Sequence, residues 1–379
     1  MQRYLHILLP WLAFTAGMCY FCLGILGYDL TYIPGDKGDS RYINYLLEHG
    51  YQWICGDVST FWNAPFMHPF ENTIALSDNM LGSMPIYSFW RSIGMPSETA
   101  YQFWWLTICA LNYWITFYII KKWIGDWRTA VLMAWIFAFT IFNMGQLNYM
   151  QMTLRFMVPV VFYAGYKMIE TPAVKYAVWF MVGITFQFYC VIYTGLYLFY
   201  FSMLFLILYV FLSRKWKNIM FYFKGKQLLY VGVTLIICTI SILWLYKPYA
   251  RMAVITGYRL YEDVKWNLPL LQSFLFPHET STTWFFLHRA MIPENSIWWL
   301  QYNFLGVVPV LTFLTIPFVG TYSLIKKTKF PSWLWACAIA AVCVVLVHLR
   351  TESGASLYRY IYNLPGVAGI RVCSRFLNV

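Results

Sequence analysis

The stretch YAVWFMVGITFQFYCVIYTGLYLFYFSMLFLILYVFL, residues 176–212, contains no charged residue. One membrane-spanning helix needs about 20 predominantly apolar residues, so this run is too long for a single crossing. We expect two helices here, separated by a tight hairpin within Gln187–Gly195. The pattern predicts a helical membrane protein.

Apolar runs of crossing length recur along the chain. They lie at 7–28, 101–120, 129–147, 154–170, 175–190, 192–213, 227–246, 303–325 and 332–349. The first run could be a signal peptide, but its length and the lack of a small-x-small cleavage site before Tyr28 favour a retained span.

The composition agrees with lipid as the main solvent of this chain. Hydrophobic residues make up 60% and charged residues 11%, whereas soluble domains carry about 25% charged residues. We therefore predict an all-α membrane protein, a polytopic bundle of about nine transmembrane helices. It forms a single transmembrane domain, 1–379. Because the chain ends outside the membrane, shortly after Arg375, we expect it to be a shortened version of a longer architecture.

The charges are distributed unevenly between the two sets of connecting segments. With nine alternating spans, one side carries 14 basic residues and only Asp126 and Glu170 as acids, so 14 − 2 = +12. The other side carries 13 basic and 13 acidic residues, which cancel. The basic residues of the first side are Arg3, Lys121, Lys122, Arg128, Lys167, Lys175, Arg214, Lys215, Lys217, Lys224, Lys226, Lys326, Lys327 and Lys329. The positive-inside rule predicts a cytoplasmic N-terminus.

This orientation places three larger segments on the extracytoplasmic side. They are the first loop, 29–100, a second large loop, 247–302, and the tail, 350–379. The basic clusters lie between apolar runs and form no stripe with base-stacking aromatics, so nucleic acid is not an expected partner. Membrane lipids are the expected partners, since anionic lipids attract such clusters.

The first loop opens with an acidic turn, Pro34-Gly-Asp36-Lys-Gly-Asp39-Ser-Arg41. Its two carboxylates, Asp36 and Asp39, could act as a general base or hold a divalent cation such as Mg²⁺ or Mn²⁺. Lys37 and Arg41 could bind phosphate. The alternative interpretation is a solvated turn in which an aspartate caps a helix.

Two helices are expected in this loop, both lying along the membrane interface. Asp39 and Ser40 could cap a helix over 41–49, whose apolar face would hold Ile43, Leu46, Leu47 and Gly50. A second helix would pass through Leu81, Ile86, Phe89 and Ile93, with Pro85 near its first turn. It follows the polar residues Ser77, Asp78 and Asn79.

Other side chains of the extracytoplasmic segments are candidates for substrate binding. Phe61-Trp-Asn-Ala-Pro-Phe66-Met-His68-Pro-Phe could stack on a sugar, although an interfacial aromatic belt is the favoured interpretation. His68 could contact phosphate or be simply solvated. Arg155, Arg371 and Arg375 could complete a phosphate site, or could be surface residues that snorkel to the interface.

Cysteine usage indicates no disulfide framework. Seven of the nine cysteines lie in apolar runs, where cysteine behaves as a small hydrophobic residue. Cys55 and Cys373 are expected to be exposed outside, and a bridge between them is an option that we do not favour.

Several function classes lack their sequence signals. The chain has no Walker A motif, no His-Glu-x-x-His, no zinc-spaced cysteine set and no serine nucleophile elbow. Charged residues are nearly absent from the centres of the apolar runs, which argues against an ion-coupled transporter.

Four stretches resemble the GT-C superfamily of integral membrane glycosyltransferases, including its bacterial YfhO-like and uncharacterised members. They are IPGDKGDSRYINYLLEHGYQW (33–53), TFWNAPFMHPFENTIALSDN (60–79), GSMPIYSFWRSIGMPSETAYQFWWL (82–106) and LPGVAGIRVCSRF (364–376). The resemblance covers roughly a quarter of the chain, while the remainder agrees in hydropathy alone.

The resemblance implies transfer of a sugar from a polyprenyl-phosphate donor, at the outer face of the bacterial inner membrane. The acceptor would be a lipid, a glycan or a protein. A loop carboxylate would serve as base or metal ligand; Asp36 and Asp39 match that place, and Asp78, beside Asn79, is a third acid. A sugar on a lipid phosphate has a good leaving group, so one base and nearby cations would suffice. The alternative is a non-catalytic lipid or glycan carrier, or an assembly scaffold.

Overall fold

The computed structural model describes residues 2–257, 259–281, 283–290, 298–328 and 330–379 of the chain. This part is built from α-helices and short 3₁₀ segments and contains no strand. Met1 and Lys329, and residues 258, 282 and 291–297 of the predicted second loop, lie outside the described residues. The α-helices are α1 (Gln2–Gly17), α2 (Gly24–Leu26), α3 (Asp39–Cys55), α4 (Met84–Ser92), α5 (Ser97–Ile124), α6 (Trp127–Phe139), α7 (Met157–Glu170), α8 (Val174–Cys190), α9 (Ile192–Ser213), α10 (Trp216–Tyr222), α11 (Lys226–Thr256), α12 (Tyr261–Lys265), α13 (Phe285–Ala290), α14 (Val307–Ile325), α15 (Ser332–His348) and α16 (Tyr358–Ile361).

Within the described part of the chain, four helical stretches are long and apolar enough to cross a membrane. They are Tyr4–Leu26, Ser97–Ile124, Ile192–Ser213 and Lys226–Thr256. The first is continuous because a π-helical turn, Met18–Leu23, joins α1 to α2. The other five predicted spans coincide with the shorter helices α6, α7, α8, α14 and α15, so a total of nine spans stays a prediction.

The middle of α11 exposes a mainly apolar surface. Leu229, Ile236, Ile237 and Ile240 each expose more than half of their area. Soluble monomers rarely expose contiguous apolar patches of this kind, because water solvates them poorly. Lipid is the solvent that suits this helix.

The predicted span 129–147 is interrupted. Helix α6 ends at Phe139, and the chain continues as a 3₁₀ segment, Ile141–Thr153, which is kinked at Tyr149, where the backbone is not helical (φ −123°, ψ 58°). The segment carries polar residues, and the amide of Asn143 donates to the carbonyl of Ala138 at 3.1 Å. This bond to the end of α6 helps to terminate the helix where the run predicted that it would continue. Conversely, α11 extends to Thr256, beyond the predicted end of its span at 246.

The 176–212 stretch forms two helices, as its length predicted. Between α8 and α9 only Val191 is extended, with φ −151° and ψ 120°. A β-carbon on Gly195 would come within 2.8 Å of the Phe188 Cα. Positions seven residues apart touch in this way only when the chain reverses, and glycine permits the close approach.

The first loop supplies hydrogen-bond partners to both sides of this reversal. At the end of α8, the Asn79 amide donates to the carbonyl of Phe188 at 3.1 Å, and the Gly82 N–H donates to the carbonyl of Tyr189 at 2.7 Å. At the start of α9, the Asp78 carboxylate accepts the N–H of Ile192 at 2.9 Å. The backbone N–H of Tyr193 also lies close to this carboxylate and helps to lower its pKa.

Asp78 therefore acts as the N-terminal cap of α9, although it comes from a different part of the chain. The residue before α9 is Val191, whose side chain cannot cap. Asp78 exposes only 4% of its area. Burial raises the pKa of its carboxyl, while the nearby Arg375 and the N–H donors oppose the rise.

The core centres on α5. Trp104, Trp105, Tyr101 and Tyr113 are fully buried on this helix. Helix α5 packs against α6 and α4, while α7 packs against α8 and α15 against α9. Phe21, in the π-helical turn, meets Trp105 with ring centroids 6.0 Å apart. Aromatic packing thus fills the centre of the bundle.

All nine cysteines are free. Cys55 is exposed, as predicted, but Cys373 is buried, so the prediction of its exposure is wrong. The Cys373 side chain packs in a cluster with Tyr358 and Phe376. Apolar packing of the tail thus covers a cysteine that the sequence placed in a solvated segment.

We expect Asp78→Ala to lower the free energy of unfolding by about 1–3 kcal/mol, because it leaves the partly buried N–H of Ile192 without its acceptor. Asp78→Asn should cost less, because asparagine is also a good cap. The measurement is thermal unfolding of the detergent-solubilised protein, with exposed Asp57→Ala as the control. An Asp78→Ala variant as stable as Asp57→Ala would contradict the capping role.

Candidate functional site

The acidic turn is organised by Asp36. Its Oδ1 atom accepts the N–H groups of Gly38 at 3.0 Å and Ser40 at 3.3 Å. Helix α3 begins at Asp39, so Asp36 is its capping carboxylate. The predicted cap at Asp39 and Ser40 and the predicted range 41–49 are wrong, because the helix starts earlier and continues to Cys55.

The apolar face predicted for α3 is confirmed. Ile43, Leu46, Leu47 and Gly50 are all buried. Helix α4 is also present and has Pro85 in its first turn, as predicted, but it covers only Met84–Ser92, so Leu81 and Ile93 lie outside it. Phe89 and Ile93 expose 56% and 55% of their area. Met84 and Tyr87 are the buried residues of α4.

Two contacts hold the acidic turn against the helices beneath it. The buried Ser40 hydroxyl donates to the carbonyl of Pro34 and lies 3.3 Å from the Tyr101 hydroxyl of α5. On the other side, Gly35 approaches the 3₁₀ segment so closely that a β-carbon would lie 2.5 Å from the carbonyl oxygen of Leu147. The turn therefore has a defined position relative to the 3₁₀ segment.

Tyr149, at the kink of that 3₁₀ segment, connects the acidic turn to the tail. Its hydroxyl lies close enough to the Asp39 carboxylate for that charge to act on it. Its ring lies beneath the guanidinium of Arg375, with 4.5 Å between Cζ and the ring centroid. Burial raises the pKa of Tyr149, the Asp39 charge adds to the rise, and Arg375 opposes it.

Arg375 is held between two aromatic rings. The second ring is that of Tyr193, at the start of α9, 4.7 Å from the guanidinium carbon. Arg375 exposes 7% of its area, and its Nε has no hydrogen-bond partner among the described residues. The guanidinium also acts electrostatically on Asp78. Cation–π contacts of this kind are strongest when they are shielded from water.

Gln151 is a further polar group at this junction. Its Nε2 lies 3.4 Å from Oδ2 of Asp78, while its Oε1 is buried without a partner in the described part of the chain. A buried amide oxygen and a buried guanidinium nitrogen thus remain available close to the same carboxylate. Such groups usually bind water or a ligand.

Four distant parts of the chain therefore meet at one place. They are the acidic turn, the loop at Asp78, the 3₁₀ segment at Tyr149 and the tail at Arg375. Chemically, the arrangement combines two solvent-exposed carboxylates, Asp36 and Asp39, with a tyrosine hydroxyl and a buried cation. It can accept a proton and can stabilise negative charge.

Three of the other residues selected from the sequence have exposed side chains. Lys37 and Arg41 are exposed on the acidic turn, and His68 is exposed on the aromatic segment. In that segment the Phe66 ring contacts Tyr42 and Tyr45 of α3, at 5.5 and 5.8 Å. Part of the aromatic segment therefore packs on protein.

Asn79 and Arg155 have structural partners. Asn79 is buried, and besides Phe188 its side chain bonds the N–H of Leu81 at 3.0 Å. Arg155 exposes 3% of its area, donates to the carbonyl of Phe137 and lies 3.1 Å from Oδ1 of Asn143. The interpretation of Arg155 as a snorkelling surface residue is wrong, because the end of α6 covers it.

Arg371 is exposed near the centre of the site. Its backbone N–H donates to the Tyr193 hydroxyl at 3.2 Å, and its carbonyl accepts from Asn267 at 3.1 Å. The backbone is therefore held while the side chain is in solvent. Tyr149, Tyr193 and Gln151 were not among the residues selected from the sequence, because aromatic and amide residues are too common in this chain to indicate a site.

A divalent cation would find two carboxylates here. The described residues contain no group of three or more His, Cys, Asp or Glu side chains that could hold a metal ion. One oxygen of Asp36 already accepts two N–H groups. Mg²⁺ commonly binds one or two carboxylates and keeps several waters, so the residues fit a water-rich site of this type.

Comparison with known proteins identifies no relative: no protein-family model, no curated protein and no solved structure matches this chain.

We expect Gly35→Ala to destabilise the protein more than Gly56→Ala. Both glycines have positive φ, +89° and +85°, so alanine costs about 1–2 kcal/mol at either position. A β-carbon on Gly56 meets nothing within 4 Å, whereas one on Gly35 meets Leu147. Thermal unfolding of the two variants isolates the contact between the acidic turn and the 3₁₀ segment. Equal destabilisation would show that this contact does not hold the turn.

Proposed function

We propose that this chain is a membrane glycosyltransferase that transfers a sugar from a polyprenyl-phosphate donor to a lipid, glycan or protein acceptor. In this proposal it lies in a bacterial inner membrane, spans it nine times and acts on the extracytoplasmic face. The observation that carries the proposal is the position of Tyr149, which contacts the Asp39 carboxylate and the Arg375 guanidinium. A base and a cation thereby share one site.

The reaction needs these two functions. Asp39 takes the proton of the acceptor hydroxyl while the acceptor oxygen forms a bond to the anomeric carbon of the sugar. The bond from that carbon to the phosphate oxygen breaks, and polyprenyl phosphate departs with the electron pair. A general base commonly contributes about 10²–10⁴-fold to such a step.

The cations act on the leaving group. Arg371 and Arg41 are exposed and can donate directly to phosphate oxygens, in the bidentate geometry that arginine offers. Arg375 is buried, so in this proposal it contributes a fixed positive field. The Tyr149 hydroxyl orients the Asp39 carboxylate. Asp36 holds the turn and assists Asp39.

Asp36 and Asp39 would hold a divalent cation if the enzyme uses one. When bound, Mg²⁺ or Mn²⁺ would neutralise charge on the donor phosphate.

A second candidate function is a non-catalytic lipid or glycan carrier, or an assembly scaffold. A cavity of about 660 Å³ favours it, because its walls include Leu270, Leu346, Leu349 and the guanidinium-bearing Arg350. Arg350 exposes 6% of its area. An apolar cavity beside a buried cation suits an anionic lipid without requiring any reaction.

The orientation predicts which side of the membrane can reach Cys55. This thiol is exposed at the end of α3, while the other cysteines are buried or half-buried. We expect a membrane-impermeant maleimide to label the protein in intact cells, and Cys55→Ser to abolish the labelling. Labelling that occurs only after the membrane is permeabilised would place the acidic turn in the cytoplasm and refute the proposal.

The chemistry predicts that Asp39→Asn lowers turnover about a hundredfold or more, because it removes the base. The measurement is transfer from a radiolabelled polyprenyl-phosphate sugar by the purified protein. Asp57→Asn, an exposed change elsewhere in the same loop, is the matched control and should keep wild-type turnover. Full turnover by Asp39→Asn would contradict the assignment. Lipid binding without transfer by the wild-type protein would favour the carrier.

A further inference from the structure

A second cluster of charged and aromatic side chains lies at the other end of the bundle. Glu170 ends α7, and Lys215 follows α9. Tyr193 and Tyr209 lie near opposite ends of α9, so at 1.5 Å per residue the cluster is about 24 Å from the candidate site. Its chemistry is therefore separate from that of the acidic turn.

The cluster is held together by one acidic side chain. The Lys215 Nζ lies 2.5 Å from Glu170 Oε2, and the Tyr209 hydroxyl donates to Glu170 Oε1. Both charged side chains are partly open to solvent, at 35% for Lys215 and 24% for Glu170. Both side chains of the ion pair are therefore also accessible to a ligand.

A cavity of about 310 Å³ opens beside this ion pair. Three of its walls are aromatic: Tyr166, Tyr209 and Trp333. Tyr166 stacks on Tyr209 with 5.8 Å between ring centroids, and it meets Trp333 edge to face at 6.2 Å. Aromatic faces next to a carboxylate form an environment that attracts an ammonium group.

The other side of the cavity offers hydrogen-bond donors. The Ser213 hydroxyl is buried and has no partner among the described residues. Lys215 has three N–H donors, of which the bond to Glu170 uses one. Ser332 lines the cavity at the start of α15, where no side chain caps the helix. Donors of this kind suit phosphate oxygens.

The two halves of the cavity favour ligand groups of opposite charge. A simple anion would be repelled by Glu170, and a simple cation would be repelled by Lys215 and the nearby Lys167. A ligand that carries an ammonium and a phosphate a few ångströms apart satisfies both halves. A primary ammonium fits better than a quaternary one, because it can donate hydrogen bonds to Glu170.

We propose that this cavity binds the phosphoethanolamine group of a zwitterionic phospholipid. The ammonium lies against Glu170 and the aromatic walls, and the phosphate accepts from Lys215, Ser213 and Ser332. The cavity lies where α7 and α9 end, which is the depth of lipid headgroups for helices that cross a bilayer. A bound headgroup would hold α7, α9 and α15 together at this end of the bundle.

The test is native mass spectrometry of the purified protein with phosphatidylethanolamine, phosphatidylglycerol or phosphatidylcholine of identical acyl chains. We expect phosphatidylethanolamine to bind at least about tenfold more tightly than the other two. Glu170→Gln and Lys215→Met should each remove most of that preference. Lys217→Met is the matched control, since Lys217 lies over the Trp216 ring and does not line the cavity.

If Glu170→Gln or Lys215→Met loses helical circular dichroism, Tyr209→Phe is measured in its place. It removes a single hydroxyl and should weaken the preference for phosphatidylethanolamine to a smaller extent. Competition by free phosphoethanolamine at the same concentration as the lipid would support the chemistry and identify a soluble compound as the ligand. Equal binding of the three lipids, or an unchanged preference in Glu170→Gln, would overturn the proposal.

Discussion

The chain reversal between α8 and α9 imposes the strongest requirement on this structure. Helix α8 ends one residue before α9 begins. The last carbonyl groups of α8 and the first N–H groups of α9 therefore lack partners within their own helices. Each such buried group costs about 1–3 kcal/mol when it is unsatisfied. The segment from Asp78 to Gly82 supplies partners to both helices, and a carboxylate at the start of α9 also complements the positive end of the helix dipole.

This requirement determines where the first loop lies. Once Asp78 and Asn79 are bonded to the reversal, α3 and α4 must pack close to α5 and to the 3₁₀ segment. The acidic turn then meets Tyr149, and the same start of α9 presents Tyr193 to Arg375. The convergence of carboxylates and a guanidinium is therefore a consequence of how the reversal is satisfied, and not of any contiguous motif.

The two ends of the bundle differ in how they treat charge. At the acidic-turn end, Arg375 is buried between tyrosine rings and Asp78 is buried at a helix terminus, so both charges are shielded from water. At the other end, Glu170 and Lys215 form a partly exposed pair beside an aromatic cavity. Buried charges favour a pre-organised electrostatic site, whereas an accessible pair with aromatic walls favours reversible binding of a headgroup.

Much of the local structure could be predicted from the sequence because its causes are local. The helical character and the apolar nature of the spans follow from composition. The break within Gln187–Gly195 follows from the length of the apolar run, and the buried face of α3 follows from residue spacing. Asp36 could be recognised as a candidate, but not as the cap of α3, because competing aspartates three residues apart have similar local energies.

The partners of residues that lie far apart in the sequence depend on how the segments pack together. The charge asymmetry of the connecting segments is a property of the sequence, and so is the presence of acids in the first loop. By contrast, the capping of α9 by Asp78, the sandwich of Arg375 between Tyr149 and Tyr193, and the burial of Arg155 and Cys373 depend on packing between segments. Composition and periodicity indicate whether each segment prefers lipid, water or the protein interior. They do not indicate which other segment it packs against. The choice of that neighbour comes from satisfying buried polar groups throughout the folded chain at once.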